Sequence, residues 1–243
     1  MIGLQLYTVR GKMKDSESAY KTMLAVKDMG YECVQLAGTL DVLRLTGDAA
    51  KRAGLKIIGF LVNIDICEEC ADELFDLGKL YGILDIGISS AIQTENEAFE
   101  LVERANRFAV TARANGYSFS YHNHASEFIR GESGKLIMDI LIENFKGVDL
   151  MPDTYWLQYA GNDVVAFLDK AADRIKILHL KDLKMTQNGQ TYAELGMGNL
   201  NLAGVLKLAR DTRFEYLIVE QDRCDKDELD CAKISYEYLK RFI

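Results

Sequence analysis

The sequence predicts an α/β fold in which eight parallel strands alternate with helices and close into a single-domain barrel. Apolar runs of strand length recur eight times along the chain, and a segment with the helical spacing of apolar residues follows each run. Parallel neighbours need such crossover connections, and eight strand–helix units form a barrel of about 250 residues, close to the 243 residues of this chain. We therefore expect one (β/α)8 TIM barrel over residues 1–243.

The predicted strands are the apolar runs themselves, and in chain order they are Ile2–Tyr7, Cys33–Ala37, Leu55–Val62, Ile83–Ser89, Tyr117–His122, Val148–Asp153, Arg174–Lys181 and Tyr216–Glu220. The clearest helical patterns end before Gly30 and before Gly116, where apolar residues recur every three or four positions. Weaker patterns predict the remaining helices, which are Leu40–Ala53, Glu68–Tyr81, Lys135–Asn144, Asp163–Ala171, Leu202–Arg210 and Asp225 to the C-terminus. The turn after the first run lacks the glycines that a doubly wound sheet would place there.

Composition and charge exclude several classes of protein. No apolar stretch approaches the roughly 20 residues that cross a bilayer, so we expect no membrane partner. The net charge of −8, without a local cluster of basic residues, disfavours a nucleic-acid partner. The first residues lack the basic and apolar regions of a secretory signal, and the five cysteines are an odd number. We therefore expect a cytoplasmic protein with reduced thiols.

Side chains that can bind a metal close four consecutive predicted strands, at His122, Asp153, His179 and Glu220. The carboxyl ends of barrel strands share one rim, where such barrels place their catalytic groups, and alternation along the fifth strand turns His122 inward. A single strand-end histidine is commonly a hydrogen-bonded cap, and a single carboxylate commonly caps the next helix. All four together predict a divalent metal site, and mixed nitrogen and oxygen ligands suit Mn²⁺, Co²⁺, Fe²⁺ or Zn²⁺ better than Mg²⁺.

Six short motifs occur along the chain, at Leu4–Arg10, Tyr121–His124 with Glu127 and Phe128, Asp153–Trp156, His179–Asp182, Ala193–Gly196 and Val219–Asp222. In this order and combination they resemble the sugar phosphate isomerase/epimerase family of the xylose isomerase-like TIM barrel superfamily. The resemblance covers essentially the whole chain. It implies a divalent metal held by Asp153, His179 and Glu220, with a fourth ligand from the fifth strand. His122 stands where many relatives have Glu, so the fourth ligand is His122 or Glu127, and we favour His122.

The resemblance implies a metal-dependent isomerase or epimerase that acts on a keto-sugar or sugar derivative through an enediolate. In such a site Glu220 is the expected base, and His122 or Glu127 returns the proton from the other face. Lys181 is expected to donate to the developing oxyanion. The expected contacts to the substrate are Gln5, His124, Lys181 and Glu194. The family also suggests a homo-oligomer.

Other functions stay open at this point. The related inosose dehydratases use the same kind of intermediate to eliminate a hydroxyl group, which would make the protein a lyase. Gln35 and Asn63 occupy strand ends where Glu and His are frequent in relatives, which allows a non-catalytic sugar-binding barrel. Gly196–Asn199 lies where barrels often bind phosphate through backbone N–H groups, so the partner is a sugar, a sugar phosphate or an inositol derivative. A repair activity like that of endonuclease IV is disfavoured, because three histidines provide too few ligands for its trinuclear zinc site.

Overall fold

Eight parallel strands form one sheet that curls into a nearly closed barrel. The computed structural model describes residues 1–212 and 214–242, and Arg213 and Ile243 lie outside this description. In chain order the strands are β1 Ile2–Gln5, β2 Cys33–Ala37, β3 Lys56–Val62, β4 Asp85–Ser89, β5 Ser118–His122, β6 Asp149–Met151, β7 Ile177–Leu180, β8 Asp182–Thr186, β9 Gly189–Ala193 and β10 Tyr216–Val219. The order in the large sheet is β6-β5-β4-β3-β2-β1-β10-β7, and isolated parallel bridges connect the β6 edge to the β7 edge. The predicted single-domain TIM barrel is confirmed.

Helices surround this sheet. They are α1 Ser16–Met29, α2 Leu40–Ala53, α3 Ile64–Glu69, α4 Ala71–Tyr81, α5 Glu95–Ala114, α6 Ile137–Asn144, α7 Thr154–Tyr159, α8 Val164–Lys170, α9 Leu202–Asp211 and α10 Glu228–Leu239, with short 3-10 helices at Leu6–Lys12, Ser126–Phe128 and Ala172–Arg174. Local sequence sets several of these bounds: a capping box of Thr94 and Glu97 starts α5, and Gly30, with a φ of 109°, ends α1. None of the described helices combines the length and the hydropathy that a membrane span requires.

Seven of the eight predicted strands are shorter in the structure, and β6 and β7 lose the most residues, for local reasons. β6 ends at Met151 because Pro152 has no N–H group to extend the ladder. β7 begins only at Ile177 because the preceding residues form the 3-10 helix Ala172–Arg174. The antiparallel hairpin of β8 and β9 was absent from the sequence prediction. The two strands of this hairpin are too polar to appear as apolar runs, although Asn188-Gly189 in the turn is a recognised hairpin signal.

The barrel interior contains a small apolar cluster, and the main core lies between the sheet and the helices. Ile177, Met151 and Ile218 belong to the inner cluster. Each lies two residues before a polar residue of the upper rim, so it faces the same side of its strand. On β5 the outward Phe119 packs edge-on against Phe108 of α5, whereas the serines point inward. The barrel interior is therefore apolar below the rim, and its inward-facing residues become polar at the carboxyl ends of the strands.

A buried carboxylate lies lower in the barrel interior. Asp85 of β4 accepts hydrogen bonds from Ser118 Oγ at 2.7 Å and Ser120 Oγ at 2.6 Å. Burial raises the pKa of Asp85 to about 6, although these hydrogen bonds favour its ionised form. The sequence predicted the inward serines, but it did not identify Asp85 as their partner.

Candidate metal centre

The four residues predicted as metal ligands lie together at the carboxyl ends of four neighbouring strands. His122 ends β5, Asp153 follows β6, His179 lies in β7, and Glu220 follows β10. One potential ligand atom from each residue lies within 4.8 Å of the others, and all four side chains are buried. The barrel closure brings them together, because β6 and β10 flank β7 around the rim.

His179 is held between two oxygen atoms. Its Nε2 lies 2.7 Å from Gln35 Oε1, and its Nδ1 lies 2.8 Å from Glu220 Oε2. The amide oxygen can only accept, so in this arrangement Nε2 carries the hydrogen and Nδ1 presents a lone pair to the carboxylate. Burial lowers the pKa of His179 and so favours the neutral ring. A cation beside Nδ1 and Glu220 Oε2 would relieve the repulsion between these lone pairs.

His122 brings unpartnered nitrogen atoms to the same point. Its Nε2 lies 3.4 Å from Asp153 Oδ2 and 3.6 Å from Glu220 Oε2, longer than the usual N–H···O distance of about 2.9 Å. Among the described residues, neither ring nitrogen of His122 has a hydrogen-bond partner. Burial opposes the charged ring, but the two carboxylates outweigh it and raise the pKa of His122 to about 9.

Asp153 uses its two oxygens for different purposes. Oδ1 accepts hydrogen bonds from Tyr155 N at 2.8 Å and Trp156 N at 3.2 Å, and thereby caps α7. Oδ2 faces His122 and the buried ammonium of Lys181, whose Nζ lies 2.9 Å away. Asp153 therefore caps α7 through Oδ1 and is a candidate metal ligand through Oδ2. The sequence presented these two roles as alternatives.

Lys181 completes the electrostatics of the group. Its buried Nζ also lies 2.8 Å from Asp222 Oδ1 and 3.3 Å from Glu220 Oε2. Burial disfavours the ammonium, but the carboxylates outweigh burial and raise the pKa of Lys181 well above its usual value. Metal binding requires neutral imidazoles, and in that state the three carboxylates of Asp153, Glu220 and Asp222 against this one ammonium leave two negative charges. That charge and the donor set fit a divalent metal ion, which this group could hold.

Glu127, the other candidate for the fourth ligand, is not brought to this group. Its buried carboxylate accepts hydrogen bonds from Tyr121 Oη at 2.6 Å, His124 N at 3.0 Å and Ser126 Oγ at 3.1 Å. These bonds fix the loop that carries His124. Of the two alternatives for the fourth ligand, the geometry therefore favours His122.

A cavity of about 750 Å³ opens above the candidate ligands, and its lining includes His122, His124, Lys181 and Glu220. Two of the predicted substrate contacts lie elsewhere. Gln5 is buried, donates to Gln35 Oε1 at 2.8 Å and accepts from Tyr7 N. Glu194 accepts from Cys231 Sγ at 3.2 Å and pairs with Lys226 Nζ at 3.3 Å. Because these polar groups bond within the protein and do not line the cavity, this placement does not support the expectation that Gln5 and Glu194 contact substrate.

The loop Gly196–Asn199 is occupied by the chain itself. The carboxylate of Asp182 accepts hydrogen bonds from Gly196 N and Gly198 N at 3.0 Å, and from Leu183 N at 2.8 Å and Leu200 N at 3.2 Å. The backbone donors that suggested phosphate binding therefore already serve an internal anion, which argues against a phosphate site here.

Two residues of the centre were not predicted from the sequence, Asp222 and Gln35. Asp222 lies two positions after Glu220, so strand alternation could have placed it on the same inward face. Gln35 was recognised only as a departure from relatives, because a single sequence does not show that its amide oxygen would meet His179 across the barrel.

A family model described as the xylose isomerase-like TIM barrel matches residues 23–242. The chain belongs to this family. The xylose isomerase-like TIM barrel superfamily predicted from the six motifs is thereby confirmed.

Curated relatives match part of the chain. An inosose dehydratase of Clostridium perfringens is 27% identical over 168 residues, which are 61% of this chain and 56% of that protein. One from Mesomycoplasma hyopneumoniae is 28% identical over 173 residues, with the same shares. The chain thus spans about half the length of the curated relatives that it matches.

Solved structures share the fold over nearly the whole length. A sugar phosphate isomerase/epimerase from Parabacteroides distasonis gives a TM-score of 0.82 at 20% identity, covering 98% of this chain and 93% of its own. A D-allulose 3-epimerase from Methylomonas sp., solved in complex with D-allulose, gives 0.74 at 16% identity, covering 100% and 96%. At these identities the likeness concerns the fold.

Proposed function

We propose that the protein is a metal-dependent isomerase or epimerase that transfers a proton at the carbon next to the carbonyl of a keto-sugar or sugar derivative. The convergence of His122, Asp153, His179 and Glu220, beside a cavity that His122 and Glu220 line, carries this proposal. The cavity volume of about 750 Å³ lies in the range of small-molecule sites. A divalent ion held by the four residues would supply Lewis acidity that stabilises negative charge on the carbonyl oxygen.

Glu220 is the proposed base. Burial raises its pKa, but the charge of Lys181 and the contacts to His179 and His122 together outweigh burial and hold the pKa of Glu220 well below its usual range, so the carboxylate stays ionised. The close contacts to His122, His179 and Lys181 all involve Oε2. Oε1 is therefore the oxygen that we assign to accept the proton from the substrate carbon.

The proton has to return from a second group. The sequence left His122 and Glu127 for this role. Glu127 is enclosed by hydrogen bonds, whereas the ring of His122 lines the cavity. We assign the proton to His122 Nδ1, which has no partner among the described residues, because Nε2 is the nitrogen near Asp153 and Glu220 that would hold the ion. Lys181 remains charged and also lines the cavity, which supports its role as a donor to the oxygen that becomes negative. His124 contacts the substrate from the same wall.

A second candidate is elimination. Similarity to inosose dehydratases favours a reaction in which the same loss of a proton is followed by departure of a neighbouring hydroxyl group. The two reactions share the base and differ in the fate of that hydroxyl group. An inositol derivative is then the substrate in place of an open-chain ketose.

The test is proton exchange at the substrate carbon. The protein is incubated with Mn²⁺ or Co²⁺ in deuterated water with a panel of keto-sugars and inososes, and loss of the C–H signal is followed by NMR. We expect metal-dependent exchange with at least one compound, and a new product identifies epimerisation, isomerisation or dehydration. Binding of metal and sugar without exchange would instead indicate a non-catalytic sugar-binding barrel.

A further inference from the structure

The charged residues that line the cavity fall into two groups. Glu220 belongs to the candidate ligands, and Lys181 is paired with Asp222 at 2.8 Å. The two charged residues that remain in the lining are both arginines, Arg10 and Arg223. In a chain with a net charge of −8, this part of the cavity mouth therefore carries positive charge.

Arg10 is held in place by several contacts. Nη1 donates to Tyr7 O at 2.6 Å, Nη2 donates to Asp222 O at 2.9 Å, and the guanidinium lies over the Tyr7 ring, with Cζ 3.8 Å from the ring centre. These partners are neutral carbonyl groups and an aromatic ring, so they position the guanidinium without neutralising its charge. Its other N–H groups are available to a ligand.

Arg223 comes to the same sector of the mouth. It follows β10, which pairs directly with β1, the strand that precedes Arg10. The ion-paired arginines found in residues 1–212 and 214–242 lie elsewhere, at Arg44, Arg52, Arg104 and Arg107. The nearby Asp225 pairs with Lys184 Nζ at 3.0 Å. The charge of Arg223 also lowers the pKa of Asp225, after the larger effect of Lys184, but neither Arg10 nor Arg223 forms an ion pair within the described part of the chain. Two guanidinium groups outside ion pairs therefore share one side of the cavity.

The positions of Arg10 and Arg223 relative to the candidate metal ligands indicate what the two arginines could bind. The candidate ligands occupy β5, β6, β7 and β10, whereas the cavity continues over the ends of β1 to β4, where Thr39 and Asn63 line it without charge. The other predicted anion site, the loop after β9, is filled by Asp182. We infer that the substrate carries an anionic group, a carboxylate or a phosphate ester, which Arg10 and Arg223 bind while its carbonyl faces the metal centre. This inference rests on the proposed function, because it concerns the substrate of that site.

Binding of matched sugar pairs tests the inference without requiring turnover. Isothermal titration calorimetry with Mn²⁺ present compares D-fructose with its terminal phosphate ester, and L-sorbose with the acid that carries a terminal carboxylate. We expect at least one anionic member to bind about tenfold more tightly than its neutral partner, as two charge-assisted contacts at a partly exposed mouth allow. Whichever pair shows the preference identifies the anion as phosphate or carboxylate.

Variants connect the preference to the two arginines. R223M and the double variant R10M/R223M should bring the anionic and neutral affinities within about twofold of each other. R210M removes one exposed charge from α9, outside the cavity lining, and should keep the full preference. Circular dichroism checks that each variant folds, and R223M alone suffices if the double variant does not.

The outcomes separate the inference from the proposed function. A wild-type protein that binds neither anion better than its neutral partner, or that binds none of the four sugars, overturns the inference. A preference that survives in the double variant, or in R223M if only that variant folds, also overturns it. Proton exchange on the same compounds is scored separately: exchange without an anion preference leaves the proposed function standing, and an arginine-dependent preference without exchange leaves only the anion site.

Discussion

Replacing Gln35 by Leu should weaken metal binding, although Gln35 is not a candidate ligand. Gln35 Oε1 lies 2.7 Å from His179 Nε2, and both side chains are fully buried. Leucine fills a similar volume but leaves the Nε2–H group without this acceptor, which costs about 1–3 kcal/mol in a buried site. It also removes the bond that keeps the Nδ1 lone pair facing Glu220. Loss of such supporting bonds weakens metal affinity by about 10–100-fold.

The assay is competition for Mn²⁺ against a fluorescent chelator, with thermal unfolding recorded in parallel. Gln35→Glu retains an oxygen acceptor and should keep most of the affinity. Gln5→Leu is the matched control, because it removes the N–H donated to Gln35 Oε1 and leaves the acceptor for His179. A Gln35→Leu protein with wild-type Mn²⁺ affinity would refute the argument that this bond orients His179.

Four further predictions concern single carboxylates. Asp153→Asn and Asp153→Ala should both lose Mn²⁺ binding and the ion pair to Lys181, but the amide oxygen of Asn can still cap α7, so Asp153→Ala should be about 1 kcal/mol less stable than Asp153→Asn; equal stability of the two variants in thermal melts would contradict the shared role. Glu220→Gln should abolish proton exchange with an unchanged circular dichroism spectrum, and full exchange would remove Glu220 as the base. Asp182→Ala should destabilise the protein by about 2 kcal/mol or more and speed amide hydrogen exchange at Leu183, Gly196, Gly198 and Leu200, since these four N–H groups lose their acceptor; protection as in wild type would count against this. Folding raises the pKa of Asp85 from 3.8 to about 6, so the protonated carboxyl stabilises the protein at low pH and this stabilisation is lost as the pH rises through that window. The free energy of unfolding of Asp85→Asn, measured in urea, should lack this pH dependence; identical pH profiles for the variant and the wild type would contradict the prediction.

The fold was largely predictable because it depends on periodicity. Alternating apolar runs and helical spacings are local properties of the chain, and eight such units leave few ways to bury their apolar faces. The bounds were less accurate where backbone chemistry intervened, as at Pro152, which ends β6 early. The hairpin was missed because it buries little apolar surface, so hydrophobic periodicity could not indicate it.

The candidate ligands were also predictable, because a residue that ends a parallel strand has its place on the rim decided by topology. Their partners were not. Whether Glu127 would point to the metal centre or to the backbone of His124 depends on the path of one loop. The capture of the Gly196–Asn199 amides by Asp182 joins residues from two ends of the β8–β9 hairpin, which the sequence prediction lacked. Such contacts are set by tertiary packing and leave no local pattern.

The central claim is that the four strand-end residues bind a divalent ion and, with it, catalyse proton transfer at a sugar carbon. The most direct measurement is NMR of substrate C–H exchange in deuterated water, with one protein sample before chelation, after chelation and after Mn²⁺ is restored. We predict exchange that disappears with chelation, returns with Mn²⁺, and is absent from a His179→Ala variant that no longer binds the ion. Exchange at the same rate in the chelated protein, or none with any keto-sugar or inosose when Mn²⁺ is bound, would contradict the account.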